Sequence, residues 1–240
     1  MEKVTIEGIV LNVTNYGETS KILNILSREY GYISVISKGS RNIKSRLMGI
    51  SLKLVYANFT INYKPRGISI LIEGSVINSF KYIMTDLKKM NYANFLVELT
   101  KSILKDNNNK EIFEDLKNCL LKINESFNPS LLTNIFLIKL LNFLGVKPNF
   151  SECIICGNTN VLTYDFKTGG MVCNHCYNDT HIFQSNTLKL LKLFQSVDIS
   201  KIDKLNISSL EVQREINDFI NEYYETYTGI YLFKREKFEV

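Results

Sequence analysis

Four cysteines and one short basic segment carry residue types that do chemistry at spacings that matter. Cys153-Ile154-Ile155-Cys156 and Cys173-Asn174-His175-Cys176 are two CxxC pairs with 16 residues between them. A CxxC turn sets two thiolates on one side of a tight knuckle. Two knuckles supply the four soft donors that tetrahedral Zn²⁺ prefers. Gly157 follows the first pair, where a knuckle often needs a positive φ. The pattern predicts a structural Zn²⁺ held by Cys153, Cys156, Cys173 and Cys176. A redox CxxC opens a helix in a thioredoxin-like α/β pattern and would leave the second pair unexplained. A catalytic zinc keeps an open position, which four thiolates would fill. A deaminase needs H-x-E ahead of its Cys pair, and no His precedes Cys153. The fifth cysteine, Cys119, has apolar neighbours and reads as a small buried side chain. His175 and His181 read as surface or supporting residues of the cluster.

The second group is Lys38-Gly39-Ser40-Arg41-Asn42-Ile43-Lys44-Ser45-Arg46. Cationic heads, serine hydroxyls and amides freed at a glycine bind phosphates without reading sequence. Lys64 and Arg66 flank a hairpin tip and extend the set. Tyr16, Tyr30, Tyr32, Tyr56, Phe59 and Tyr63 supply rings in the same region. There is no Trp, so any base stacking uses Tyr or Phe. Charge arithmetic supports this placement. Residues 1–80 carry ten basic and five acidic side chains, net +5, whereas residues 81–240 carry 19 of each. From Tyr30 to Ile72 there are seven Lys/Arg and no Asp or Glu. A polyanion-binding module joined to a neutral body is the expectation. Zinc-bound thiolates would add −4 and the ion +2, which sharpens the contrast.

Other classes are excluded. The chain contains no GxxxxGK[ST], GxGxxG, HExxH or GxSxG. Two histidines in 240 residues leave little ordinary general-base chemistry. The chain therefore reads as a binding protein, not an enzyme. Its longest apolar stretch, Leu131 to Leu144, is broken by Thr133, Asn134, Lys139 and Asn142 and is too short for a membrane span. The N-terminus lacks a signal-peptide pattern. Paired cysteines with one left over fit a reducing cytosol.

The elements that position these groups can be read from periodicity. An α+β protein is expected. The first eighty residues alternate with a period of two. Val4 to Val10, Ile22 to Leu26, Tyr32 to Ser37 and Leu52 to Tyr63 read as four strands. A fifth has Ile68, Ile70, Ile72 and Val76 lining one face. Asn15-Tyr16-Gly17-Glu18 and Lys64-Pro65-Arg66-Gly67 read as turns. Five short antiparallel strands suit an oligonucleotide/oligosaccharide-binding (OB) barrel, with an SH3-like barrel as the other option. After Ser79 the period becomes helical. Thr85-Asp86 caps a helix to Leu104, ended by Asp106-Asn107-Asn108-Asn109. Further helices are expected at Lys110–Ser126, from Pro129 to Leu144, at Ser185–Ser196 and at Ser208–Tyr227. The helix from Pro129 is apolar nearly all round and should be central. The domain expectation is a barrel over 1–80 and a helical domain over 81–149 and 183–240, with a zinc ribbon over 150–182 inserted. Tyr164–Phe166 and Gly170–Val172 would be the ribbon strands.

Taken in order, these pieces resemble the bacterial RecO family of DNA repair proteins. Glu7-Gly8-Ile9-Val10-Leu11, Tyr16-Gly17-Glu18 and Ser20-Lys21-Ile22-Leu23 look like the family's first two strands. Arg28-Glu29-Tyr30-Gly31-Tyr32-Ile33, Lys38-Gly39-Ser40-Arg41 and Lys44-Ser45-Arg46-Leu47 continue the match. The CxxCG, Gly169-Gly170 and the second CxxC fall where zinc-bearing members have them. The resemblance implies an OB-fold, a helical body and an inserted zinc ribbon. It implies binding of single- and double-stranded DNA and annealing of complementary strands. It also implies partnership with RecR and the C-terminal tail of single-stranded DNA-binding protein, and a functional link to RecA and RecF. Lys38, Arg41, Lys44 and Arg46 match the family's basic loop and would inherit its DNA contacts. No membrane partner is implied, and the expected place is the bacterial cytoplasm, at the nucleoid during repair. An RNA-binding or transcription-associated zinc-ribbon adaptor with an OB-fold is the alternative.

Overall fold

The structure is a computed structural model that describes residues 2–104, 110–203, 207–232 and 238. It divides into two compact units, Met1–Pro129 and Ser130–Val240. The first opens with β1 (Glu2–Tyr16), β2 (Ser20–Ser27), β3 (Gly31–Ser37), β4 (Tyr56–Tyr63) and β5 (Ser69–Asn78). These close into a barrel of order β1-β2-β3-β5-β4. β3 and β5 run parallel, with Val35 opposite Ser69 and Ile36 opposite Ile70. That order is the OB-fold, in which closure removes exposed strand edges.

Closure depends on β1 serving two ladders. Its first half, Glu2 to Ile9, pairs with β4, and its second half, Gly8 to Tyr16, pairs with β2. Gly8 and Ile9 belong to both. A Cβ at Gly8 would lie 2.5 Å from Ile25 Cγ2 and 3.2 Å from the Leu26 carbonyl. Ile25 is fully buried and cannot withdraw. Glycine is needed where one strand turns across the others. Inside the barrel, Ile6, Val10, Leu23, Val35, Phe59 and Ile61 form the centre of one apolar core.

Three strand expectations require correction. Asn15 and Tyr16 remain in β1, paired with Lys21 and Ser20, so the turn shrinks to residues 17–19. Leu52 to Val55 are not strand. Leu54 takes φ +64°, and β4 begins only at Tyr56. On β5 the inward residue is Leu71, whereas Ile68, Ile72 and Val76 are exposed. Shifts in the β4–β5 register, between Thr60 and Ile61 and between Tyr56 and Ala57, interrupt the alternation along β5 after Leu71. A period-two reading cannot foresee a bulge.

Beyond the barrel, α1 (Lys81–Met84) is a single turn that periodicity did not reveal. Its opening amides, those of Tyr82 and Ile83, donate to Asn124 Oδ1. α2 (Leu87–Leu104) starts as expected, with Asp86 Oδ1 accepting from the Lys89 amide. The asparagine run expected to end it lies outside the described residues. α3 (Lys110–Asn124) buries Ile112, Phe113, Leu116, Leu120 and Ile123, and with them Cys119. α2 packs on β1 and α3 on β2. Arg28 ties the barrel to α3 by pairing with Glu7 at 3.1 Å and Glu114 at 3.2 Å.

The second unit holds α4 (Pro129–Phe143), β6 (Thr163–Asp165), β7 (Gly170–Val172), α5 (Ser185–Phe194) and α6 (Leu210–Thr228). α4 is buried on nearly every side, as its composition requires. Gly145, at φ +76°, ends it. Ser209 caps α6 through the Val212 amide, and Gly229 closes its other end.

Gly8→Ala should cost about 1–3 kcal/mol through overpacking. Thermal unfolding followed by circular dichroism should show a Tm several degrees lower. Gly49→Ala, with nothing within 4 Å of the added Cβ, should melt with the wild type. Equal Tm for all three proteins would contradict the role given to Gly8.

Candidate metal centre and nucleic-acid interface

The ribbon folds as two knuckles joined by β6 and β7. The Gly157 amide donates to the Cys153 carbonyl at 2.8 Å, and Gly157 sits at φ +73°. In the second knuckle the Cys176 amide donates to the Cys173 carbonyl at 3.1 Å. The Ile154 amide donates to Met171 of β7 at 2.9 Å, which joins the first knuckle to the hairpin. The ligand atoms of Cys153, Cys156, Cys173 and Cys176 all lie within 4.8 Å of one another. Cys156 and Cys173 Sγ are 3.6 Å apart. A tetrahedron with 2.3 Å metal–sulfur bonds has sulfurs about 3.8 Å apart. Donor type and spacing therefore fit a closed four-thiolate metal site. His175 is exposed and outside this group.

The thiols differ in acidity. Burial opposes ionisation of Cys153, but the backbone N–H groups of Cys156, Cys173 and Ile155 aim at its sulfur and hold it at about 6. The Asn158 amide favours the Cys156 thiolate, but protons shared with Cys153 and Cys173 raise it. Cys176 is pushed up to about 12, first by its hydrogen bond to Cys156 and then by burial. A cation among them reverses these penalties.

An aromatic cluster anchors the ribbon to α6. Tyr164 and Phe166 meet Phe219 at ring separations of 5.1 and 5.2 Å. Tyr227 donates its hydroxyl to the Phe166 carbonyl at 2.9 Å. Glu215 on α6 accepts from the Gln184 amide at 3.1 Å and so caps α5. No sequence motif announces these contacts.

The basic segment lies in the connection from β3 to β4. A series of three-residue turns runs along it. Asn42 donates to Gly39, Ser45 to Asn42, Met48 to Ser45 and Ser51 to Met48. The Arg41 amide donates to Thr19, and the Arg41 guanidinium to Gly17, so the loop is fastened to the β1–β2 tip. Two expected phosphate donors are used internally. The Gly39 amide donates to Ser20 Oγ, and the Ser40 hydroxyl to the Ser37 carbonyl. The loop needs these bonds to keep its shape, which sequence does not disclose.

The cations separate into two sets. Lys53 pairs with Glu98 at 2.7 Å, Lys21 donates to the Ser51 carbonyl, and Arg28 pairs with Glu7 and Glu114. Lys38, Lys44, Arg46, Lys64 and Arg66 are exposed and, among the described residues, have no ion-pair partner. Both groups flank β3. The loop leaves its end at Ser37, and the strand after the hairpin tip begins against Val35. The rings are mostly engaged. Phe59 and Tyr56 are buried, the latter donating to Glu7, while Tyr30 and Tyr63 stack on each other at 4.1 Å. Tyr16 is exposed.

Comparison with known proteins agrees with this architecture. The family model for the Recombination protein O N terminal domain matches residues 1–80, and that for the C terminal domain matches residues 84–236. The chain belongs to the RecO family. Its relatives in that family include the DNA repair protein RecO of Bacillus cytotoxicus, 36% identical over 239 residues, with 98% of this chain and 96% of the relative covered. The RecO of Halalkalibacterium halodurans is 31% identical over 234 residues, covering 95% and 91%. That of Bacillus mycoides is 34% identical over 239 residues, covering 98% and 96%. No helix among the described residues is long and apolar enough to cross a membrane.

The raised thiols Cys156 and Cys176 must lose their protons to bind a metal. Affinity should therefore rise with pH. Each titration step should release about two protons or more near neutrality, so log K should gain about two per pH unit. Cd²⁺ titration of the metal-free protein at several pH values, read by thiolate–metal absorbance, measures this. A slope near zero would refute the four-thiolate site.

Proposed function

We propose that this chain is a non-enzymatic DNA-binding mediator of recombinational repair. Five exposed cations without carboxylate partners among the described residues, set on an OB barrel, carry the reading. Its relatives are named DNA repair proteins, and its family is that of recombination protein O. The barrel binds single- and double-stranded DNA through Lys38, Arg41, Lys44 and Arg46 of the loop and Lys64 and Arg66 of the hairpin tip. These residues contact phosphates and carry no sequence preference. Affinity comes from release of counterions.

Annealing follows from the same charges. Two complementary strands repel each other through their phosphates. A cationic barrel edge offsets that repulsion and raises the local concentration of both strands. In the cell the chain acts with RecR and the tail of single-stranded DNA-binding protein. Together they help place RecA on coated single strands, in functional connection with RecF. The site of action is the cytoplasm, at the nucleoid. Cys153, Cys156, Cys173 and Cys176 hold Zn²⁺. The ion supplies a fixed tetrahedral crosslink and no catalysis, because its four positions are filled by protein. The barrel (1–80) is the DNA-binding domain, and the ribbon (150–182) is an insert in a helical domain (81–149 and 183–240).

Annealing of complementary oligonucleotides across a salt series tests the reading. If about five phosphates are neutralised on a single strand, log K should fall with log salt at a slope of roughly −3 to −4. The Lys38, Arg41, Lys44, Arg46→Ala variant should anneal poorly and show a shallower slope. No annealing by the wild type at low salt, or unchanged annealing by the variant, would overturn it.

A further inference from the structure

The four sulfurs of the ribbon converge on one point but are not equally exposed. Cys153 and Cys173 are each 1% exposed. Cys176 is half-buried, and Cys156 is exposed. Local structure explains the difference. The Cys153 amide donates to the Asn158 carbonyl at 2.8 Å, and its backbone bridges to Met171 of β7. Cys173 directly follows β7, whose three residues are all buried. Cys156 closes the outer end of the first knuckle, after Ile154 and Ile155, which are 54% and 57% exposed. A small reagent in water therefore meets the Cys156 sulfur before the other three.

The sulfurs also differ in their hydrogen bonds. The backbone N–H groups of Cys156, Cys173 and Ile155 serve the Cys153 sulfur, whereas that of Asn158 serves Cys156. N–H donors draw electron density from a thiolate and make it a weaker nucleophile. Cys156 thus combines the most exposed sulfur with fewer such donors than Cys153. The Cys173 sulfur stands 3.6 Å from it, across the two knuckles. A disulfide, at about 2.05 Å, needs that pair only to close by side-chain rotation.

We propose that Cys156 is a site of oxidation by hydrogen peroxide, with Cys173 as the resolving residue, and that the disulfide between them releases the metal. The inference rests on the four-thiolate metal reading above. The Cys156 thiolate attacks one peroxide oxygen. The O–O bond breaks, hydroxide leaves, and Cys156 becomes a sulfenic acid. The Cys173 thiolate then attacks that sulfur. An S–S bond forms, the S–O bond breaks and a second hydroxide leaves. The two sulfurs have lost two electrons, and the peroxide, with two protons from solvent, has become two waters. Cys153 and Cys176 remain as thiolate donors, too few to close a tetrahedral site. Cys119 takes no part, because it is wholly buried on α3. The ribbon keeps its aromatic anchor on α6 and loses its crosslink.

The test uses the full chain loaded with Zn²⁺ and freed of reductant. One equivalent of hydrogen peroxide should release zinc to a metallochromic dye. The denatured chain should lose about 2 Da in step, the two hydrogens given up by a disulfide. Peptide mapping should find Cys156 joined to Cys173, with Cys153, Cys176 and Cys119 still open to alkylation after denaturation. Dithiothreitol with Zn²⁺ should restore the mass and the metal content. A second measurement needs neither oxidant nor variant. N-ethylmaleimide applied to the zinc-loaded protein should label Cys156 at least tenfold faster than Cys153. A first disulfide other than Cys156–Cys173, faster labelling of Cys153, or zinc retained under excess peroxide would overturn the proposal. A chain that takes up no Zn²⁺ would instead overturn the metal reading, and this inference with it.

Discussion

The barrel depends on one strand making two sets of hydrogen bonds. β1 pairs with β4 through its first half and with β2 through its second, and the exchange occurs at Gly8 and Ile9. Without that exchange the sheet would keep two open edges. With it, β3 and β5 meet in parallel and the barrel closes. The β3–β4 connection is then bound over the top of the barrel, through Arg41 to the β1–β2 tip and through Ser51 to Ser37 and Lys21. The position of the cationic loop is thus a consequence of closure.

Electrostatics then separates binding charge from structural charge. Cations needed to hold the first unit together have acids within reach, as with Lys53 and Glu98 or Arg28 with Glu7 and Glu114. Among the described residues, those in the loop and the hairpin tip have none. Exposed ion pairs contribute little to stability, so pairing here matters chiefly for which charges remain available.

The second unit relies on a different device. Its two-stranded ribbon is too small to bury a core of its own. Four convergent thiols and an aromatic cluster shared with α6 supply what the ribbon lacks. Cys153 ionises readily, whereas Cys156 and Cys176 resist. Backbone amides aimed at Cys153 favour its thiolate, whereas hydrogen bonds among the sulfurs hold protons on Cys156 and Cys176; a cation bound by all four would favour deprotonation of each.

The sequence alone determined the parts whose information is local. Two CxxC pairs with Gly157, the period-two alternation of the first eighty residues, the cap at Asp86 and the all-apolar α4 are each legible within a few positions. The absence of acids around the basic loop is likewise plain in the sequence. Tertiary structure decided everything that depends on a partner distant in the chain. Which face of β5 is buried depends on the rest of the barrel: Leu71 faces the core, and Ile68, Ile72 and Val76 are exposed. The turn hydrogen bonds that occupy Gly39 and Ser40 depend on residues of β2 and β3. The withdrawal of Lys53 from the basic set depends on Glu98, 45 residues away. Periodicity reports which way a side chain points relative to its neighbours, but only closure of the barrel decides which of the two faces is inside.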